Sequence, residues 1–133
     1  MANTFKLTTR DVAPASSGTP EEIYDCPDST TSIILGLTLA NVHTSQVTAS
    51  VTLVSTTNQS GSTQNTTAHL IKDVPIPVGS TVEIMQGNKI VLNADDRVKV
   101  DCSVADKVSV TMSYMEITYC LLLVINYPHR FKM

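Results

Sequence analysis

The chain has 133 residues, 42% hydrophobic and 16% charged, with a net charge of -3, enough for one domain with its own core and too short for two. Folding at this size hides roughly two-thirds of the unfolded surface, so neither a disulfide nor a metal is needed to hold the chain together. Nine scattered Lys and Arg leave no basic footprint for nucleic acid, and the longest apolar stretch, 119–125, is far short of the roughly 20 residues of a membrane-spanning helix.

Eighteen Thr, 13 Ser, 15 Val and 9 Ile stand against 4 Glu and 8 Ala, an inventory of strand formers. Residues 5–9 are the first strand, with Phe5 and Leu7 on one face. Residues 11–20, with two prolines and a glycine, read as loop. Residues 22–26 read as a short edge strand. Residues 32–40 begin as a near-continuous apolar run, the pattern of a strand buried on both sides for much of its length.

After a turn at 41–45, residues 46–55 alternate cleanly: Val47, Ala49, Val51 and Leu53 share the buried face, and Thr48, Ser50 and Thr52 the wet one. Residues 56–67 are almost all Thr, Ser, Asn, Gln and Gly and predict a mobile hairpin loop. Residues 68–74 resume extended structure until Pro75 and Pro77, which lack the N–H a central strand needs and force an edge or a crossover. Strands at 81–85, 90–92, 98–102 and 108–117 complete the series; in the last, Val108, Val110, Met112 and Tyr114 lie opposite Ser109, Thr111 and Ser113. About eight short strands with turns every 8 to 12 residues predict an all-β fold, an antiparallel two-sheet β-sandwich or jelly roll.

Residues 119–133 differ in composition, with no Ser or Thr, two Tyr, one Phe and a continuous apolar run. Such a run needs a buried home, and the reading is of burial against another molecule. The domain plan is therefore a sandwich with a short N-terminal arm over 1–118 and an apolar extension over 119–133.

No catalytic constellation emerges, and the chain reads as a non-enzyme without a cofactor or metal. His43, His69 and His129 belong to no metal-binding spacing. Cys26, Cys102 and Cys120 read as reduced packing residues of a protein assembled in a cytoplasm. Asp95, Asp96, Asp101 and Asp106 read as turn residues, with a cation site as the lesser alternative. The chain has no Trp, and without aromatic platforms its hydroxyl-rich faces favour solvation over sugar binding.

Ile-Ile-Leu-Gly-Leu-Thr-Leu-Ala-Asn-Val-His at 33–43 is followed by an alternating Val-Thr strand, and Leu-Ile-Lys-Asp-Val-Pro-Ile-Pro-Val-Gly occupies 70–79. Ser-Thr-Val-Glu-Ile-Met-Gln-Gly-Asn-Lys-Ile-Val stands at 80–91, and Ser-Val-Thr-Met-Ser-Tyr-Met-Glu-Ile-Thr at 109–118. With 95–101, these blocks resemble a family of small virion structural proteins of tailed bacteriophages, particularly those of marine cyanobacteria. The resemblance spans roughly 2–118 and implies a non-enzymatic β-sandwich present in many copies on the particle. It does not extend to 119–133, because family members stop close to the position of Thr118.

The expectation is a capsid decoration (cement) protein on the outside of the head, assembled in the host cytoplasm. Its partners are then the major capsid protein or other virion proteins, and further copies of itself, a trimer by analogy. A neck, collar or tail protein is the alternative within the class, and a host-surface or glycan-binding adhesin the alternative outside it. The residues expected to make contacts are Phe5 and Leu7 in the N-terminal arm, with Leu121, Leu122, Leu123, Val124, Ile125, Tyr127 and Phe131 in the extension.

Overall fold

The computed structural model describes residues 2–58, 61 and 64–118. Among them are nine strands: β1 (Ala2–Ala13), β2 (Glu21–Asp25), β3 (Thr30–Asn41), β4 (Val47–Val54), β5 (Ala68–Ile76), β6 (Thr81–Glu83), β7 (Ile90–Leu92), β8 (Arg97–Cys102) and β9 (Val108–Thr118). They form two antiparallel sheets, one ordered β1-β9-β3-β6 with β7 also on β3, the other β2-β8-β4-β5.

The pairing is nested. β4 pairs β5, β3 pairs β6 and β7, β2 pairs β8, and β1 pairs β9, all antiparallel. Nested pairs of this kind make one long two-stranded ribbon whose tip is the β4–β5 hairpin. Rolling that ribbon sets β3 against β9 and β4 against β8. With β6 and β7 together filling one strand position, the sandwich is an eight-position jelly roll.

Between the sheets lies one core, drawn from alternate residues of both. Ile34, Leu37, Leu39, Val108, Val110 and Met112 of the first sheet meet Val47, Ala49, Val51, Val98 and Val100 of the second, all fully buried. The alternation expected for β4 and β9 is present, with Thr48, Ser50 and Thr52 half-buried on the opposite face.

Most strand ends move by a residue or two, and three elements depart from expectation in ways that bear on the faces. β1 runs from Ala2 to Ala13, beyond 5–9 and into the expected loop, because the long β9 pairs with it residue for residue from Ala2 to Arg10. The segment read as a short arm is therefore part of the sheet.

β3 is not buried on both sides: its buried residues are Thr30, Ser32, Ile34, Leu37, Leu39 and Asn41. Its register against β9 shifts between Ile34 and Gly36, and this bulge at Leu35 resets the alternation. An apolar run from Ile33 to Leu37 thus serves both faces in turn. The expected strand 81–85 is only Thr81–Glu83, where Glu83 accepts hydrogen bonds from the Thr38 hydroxyl (2.8 Å) and the Leu37 and Met85 N–H groups.

The proline argument for β5 holds: the strand lies at a sheet edge and Pro75 sits within it. Its register shifts twice, and the first shift spans Asp73, which has a left-handed φ of 50° and donates its N–H to Ser50 Oγ (2.9 Å). At the ribbon tip, side-chain amides close the hairpin. Asn65 Nδ2 donates to Ser55 Oγ (3.1 Å), and Gln64 Nε2 to the Thr56 carbonyl (2.8 Å).

Truncating a wholly buried side chain removes its transfer energy and leaves a cavity. Leu39→Ala, at the centre of the core, is expected to lower unfolding stability by about 2–5 kcal/mol, read as a lower urea midpoint with an unchanged slope.

Candidate interaction surface

The two outward faces of the sandwich differ in chemistry. On the second sheet, the register sets Glu22 beside Lys99, Lys99 beside Thr52, and Asp25 beside Arg97. Arg97 Nε approaches the Glu22 and Asp25 carboxylates at 3.4 and 3.5 Å. These charges and hydroxyls make a solvated face.

On the first sheet the register builds one continuous apolar row. Phe5 of β1 is opposite Met115 of β9, Met115 opposite Ile33 of β3, and Ile33 opposite Val91 of β7. The row crosses four strands, and its two ends are the most open, Phe5 at 74% and Val91 at 57% exposed. Leu7, 64% exposed, borders it beside Ser113, and Ile117 borders the other side. Past Leu7 the face becomes hydroxylic, with Thr9, Thr111 and Thr38 in one row. Isolated exposed apolar residues need no explanation, whereas a contiguous set makes its face a candidate contact surface.

Of the residues expected to make contacts, Phe5 and Leu7 therefore stand on this face. Leu121, Leu122, Leu123, Val124, Ile125, Tyr127 and Phe131 lie outside the described residues. Met115, Ile33 and Val91 were not anticipated, though the alternation of β9 carries past Tyr114 to put Met115 and Ile117 outward.

The opposite side of the same strand end holds a buried ionic network. Glu116 is only 5% exposed. Its Oε1 accepts a hydrogen bond from Lys6 Nζ (2.7 Å), and its Oε2 accepts one from the Tyr24 hydroxyl (2.5 Å). Lys6 comes from β1, Glu116 from β9 and Tyr24 from β2 in the other sheet, so the network ties the two sheets together. The Tyr24 and Tyr114 rings pack at 4.5 Å between centroids, tilted by 50°.

Burial alone would raise the Glu116 carboxyl, but the hydrogen bonds from Lys6 and Tyr24 and the Lys6 charge outweigh it and hold it below the usual range. Its carboxylate bond lifts Lys6 above its ordinary value. Burial, then the bond to Glu116, raises Tyr24. Burial pushes the neighbouring Cys26 thiol up to about 11, away from nucleophilic character.

The remaining polar groups serve the fold. Asp96 Oδ1 accepts from the hydroxyls of Ser55 (2.6 Å) and Thr57 (3.0 Å), and its Oδ2 from the Asn93 N–H (2.9 Å). It closes a turn in which Asp95 takes a left-handed φ of 72°. Asp106 takes a similar φ of 58° in the β8–β9 turn, and Asp101 Oδ1 accepts from the Gly18 and Cys102 N–H groups. Cys26 and Cys102 are buried free thiols.

His43 is half-buried in the β3–β4 turn and His69 is exposed on β5; His129 and Cys120 lie outside the described residues. Among the described residues no three His, Cys, Asp or Glu side chains come together as metal ligands, and no helix is long and apolar enough to cross a membrane. Shallow hollows open among the described residues. One, of about 260 Å³, opens between Leu53, Ala68, Ile90 and Leu92 above Asp96; another, of about 200 Å³, lies among Ser17, Ser50, Asp73, Asp101 and Ser103. In the first, Asp96 is engaged in its turn; in the second, Asp73 Oδ1 accepts from the Ser50 hydroxyl and Asp101 Oδ1 from the Gly18 and Cys102 N–H groups.

No protein-family model matches the chain, and no curated protein matches its sequence. Some solved structures are similar to it. A chain of the T13 IBDV viral particle superposes with a TM-score of 0.50 at 9% identity, over 86% of this chain and 30% of that one. A chain from the Bacillus endospore appendages that form disulfide-linked pili gives 0.44 at 15% identity, over 90% and 88%. The Eiger TNF from S. frugiperda gives 0.34 at 10%, over 87% and 93%. At these identities the first shows the fold alone, and the other two carry no argument.

The network makes stability depend on pH at both ends of the scale. The folded value of Glu116 lies below its unfolded one, so its contribution is present above the ordinary carboxylate range and is lost as pH falls through the folded value. For Cys26 and Tyr24 the folded values are raised, so the unfolded chain loses those protons first, and stability falls as pH rises past about 9. The melting temperature is expected to be level between about pH 5 and 8.5 and to fall on both sides. Tyr24→Phe, which removes a hydrogen bond to a charged acceptor, is expected to lower stability by about 1.5–3 kcal/mol at neutral pH, measured by chemical denaturation.

Proposed function

We propose that this chain is a non-enzymatic structural protein of a virus particle, a decoration protein on the head of a tailed bacteriophage, docked through the outward apolar face of its first sheet. The observation that carries the reading is the row Phe5, Met115, Ile33 and Val91, an apolar strip left open on a sandwich whose other face is charged. Two further features support it. The sequence blocks at 33–43, 70–79, 80–91 and 109–118 resemble small virion structural proteins of tailed phages, and each aspartate bordering a hollow already accepts a hydrogen bond from a hydroxyl or a backbone N–H.

A strip of four or five apolar side chains is a modest contact by the standard of stable protein interfaces. Repetition over a symmetric shell compensates, because each further contact of a multivalent assembly forms at high effective concentration. The partner under this reading is the major capsid protein or a neighbouring virion protein. A position at the neck, collar or tail would use the same face.

Immunogold labelling of intact particles tests the reading: label over the head is expected, label confined to the neck or tail would move the protein to that machinery, and unlabelled particles would overturn the virion assignment. With Phe5→Ser and Leu7→Ser combined, the isolated domain is expected to keep its circular dichroism spectrum while its copy number on purified particles falls at least about tenfold, since hot-spot truncations cost that much affinity.

A further inference from the structure

The four sheet edges among the described residues are not equally protected against pairing. β5 carries two register shifts and Pro75. β6 and β7 are three residues each. β2 has five residues, a register shift after Glu22, and three carboxylates in Glu21, Glu22 and Asp25. Short strands, bulges, prolines and charges are the devices that blunt an edge.

β1 is different. It pairs with β9 without interruption from Ala2 to Arg10, its first register shift lies between Arg10 and Ala13, and among the described residues nothing pairs with its other side. Lys6, on the core-facing side of β1, is turned onto Glu116 at 2.7 Å rather than along the free edge. The apolar row of the outward face ends on this edge, at Phe5.

We propose that a second copy of the chain occupies this edge, with the two β1 strands paired antiparallel about a twofold axis through Phe5. The pairing deepens the functional reading above, since the dimer doubles its docking face. An antiparallel pair around a twofold perpendicular to the sheet keeps both outward faces on one side, and the register is then chosen by charge and by the row.

Centring the axis on Lys6 opposes two lysines, and centring it on Thr8 sets Lys6 against Arg10 of the other copy; like charges directly opposite are destabilising. An axis at Phe5 pairs Lys6 with Thr4 and Leu7 with Asn3, with no like charges opposed. Directly opposite side chains lie about 4.5–5.5 Å apart at Cβ, where aromatic pairs are favourable. It also joins Phe5, Met115, Ile33 and Val91 of both copies into one apolar row across eight strands. An axis at Leu7 avoids the charge clash too but leaves Phe5 opposite Thr9 and breaks the row. The assembly is thus a symmetric dimer, in place of the trimer expected by analogy.

Analytical ultracentrifugation of the full chain is expected to show a dimer at submillimolar concentration, and Phe5→Lys is expected to raise its dissociation constant at least about thirtyfold with an unchanged circular dichroism spectrum. Register is read by oxidation in a Cys120→Ser background, where Asn3→Cys mixed with Leu7→Cys should give a disulfide-linked heterodimer and neither variant alone should cross-link. A monomeric wild type, or Leu7→Cys cross-linking by itself, would overturn the proposal. A monomer that still decorates particles would remove the dimer and leave the functional reading standing, whereas a dimer absent from particles would do the reverse.

Discussion

The structure depends on the two-residue period of the pleated strand. Each residue is committed to one side of its sheet, so a sandwich of two sheets sorts its chain into residues that face the other sheet and residues that face outward. Val108, Val110, Met112, Tyr114 and Glu116 of β9 all face inward, and their neighbours Ser109, Thr111, Ser113, Met115 and Ile117 are thereby placed on the outer surface. The core and the candidate interaction surface are two readings of the same strand. Neither can change phase without the other, and the bulge at Leu35 shows how the chain shifts phase where it must: one extra residue lets Ile34 and Leu37 both reach the core.

The inward set ends on a charge, and Glu116 is tolerated there for physical reasons. A buried carboxylate without partners would cost several kcal/mol, yet here each oxygen has one strong donor. Because the donors come from β1 and β2, the carboxylate joins an edge strand of each sheet to β9 where the core runs out. Lys6 is drawn under the strand toward Glu116, which leaves Phe5 and Leu7, its neighbours in the alternation, pointing outward and free of charge.

The two-sheet plan was legible because Thr, Val and Ile dominate and the turns are punctuated by Gly, Pro, Asn and Asp. The clean alternation in β4 and β9 and the edge position implied by Pro75 were legible for the same reason. The bounds of β1 and the faces of β3 were not. A bulge is set by a partner strand distant in sequence, so Ile33 to Leu37 read as a doubly buried run when it is an alternation interrupted once. Pairing with β9 likewise extends β1 into residues whose local propensity is loop. On the candidate surface, the alternation puts Phe5 and Leu7 on one face of a short strand without saying which face is outward. Met115, Ile33 and Val91 become a row only through registers between strands up to 82 residues apart, which no local pattern contains.

Edge protection and the proposed function meet on the same strand. Among the described residues, three of the four edges carry the features that keep a β protein from pairing with its neighbours, and each costs regularity: the register of β5 shifts twice, the β6–β7 position is broken, and β2 is short and acidic. An edge left long, regular and bordered by Phe5 and Leu7 is a liability for a protein that works alone. For one that works in a symmetric array the same edge is a means of assembly, because main-chain pairing supplies affinity and the apolar row supplies register. The uneven treatment of the edges, together with a Cys26 thiol that burial holds protonated, is in keeping with the proposed role of a molecule that acts by where it binds and how many copies bind together.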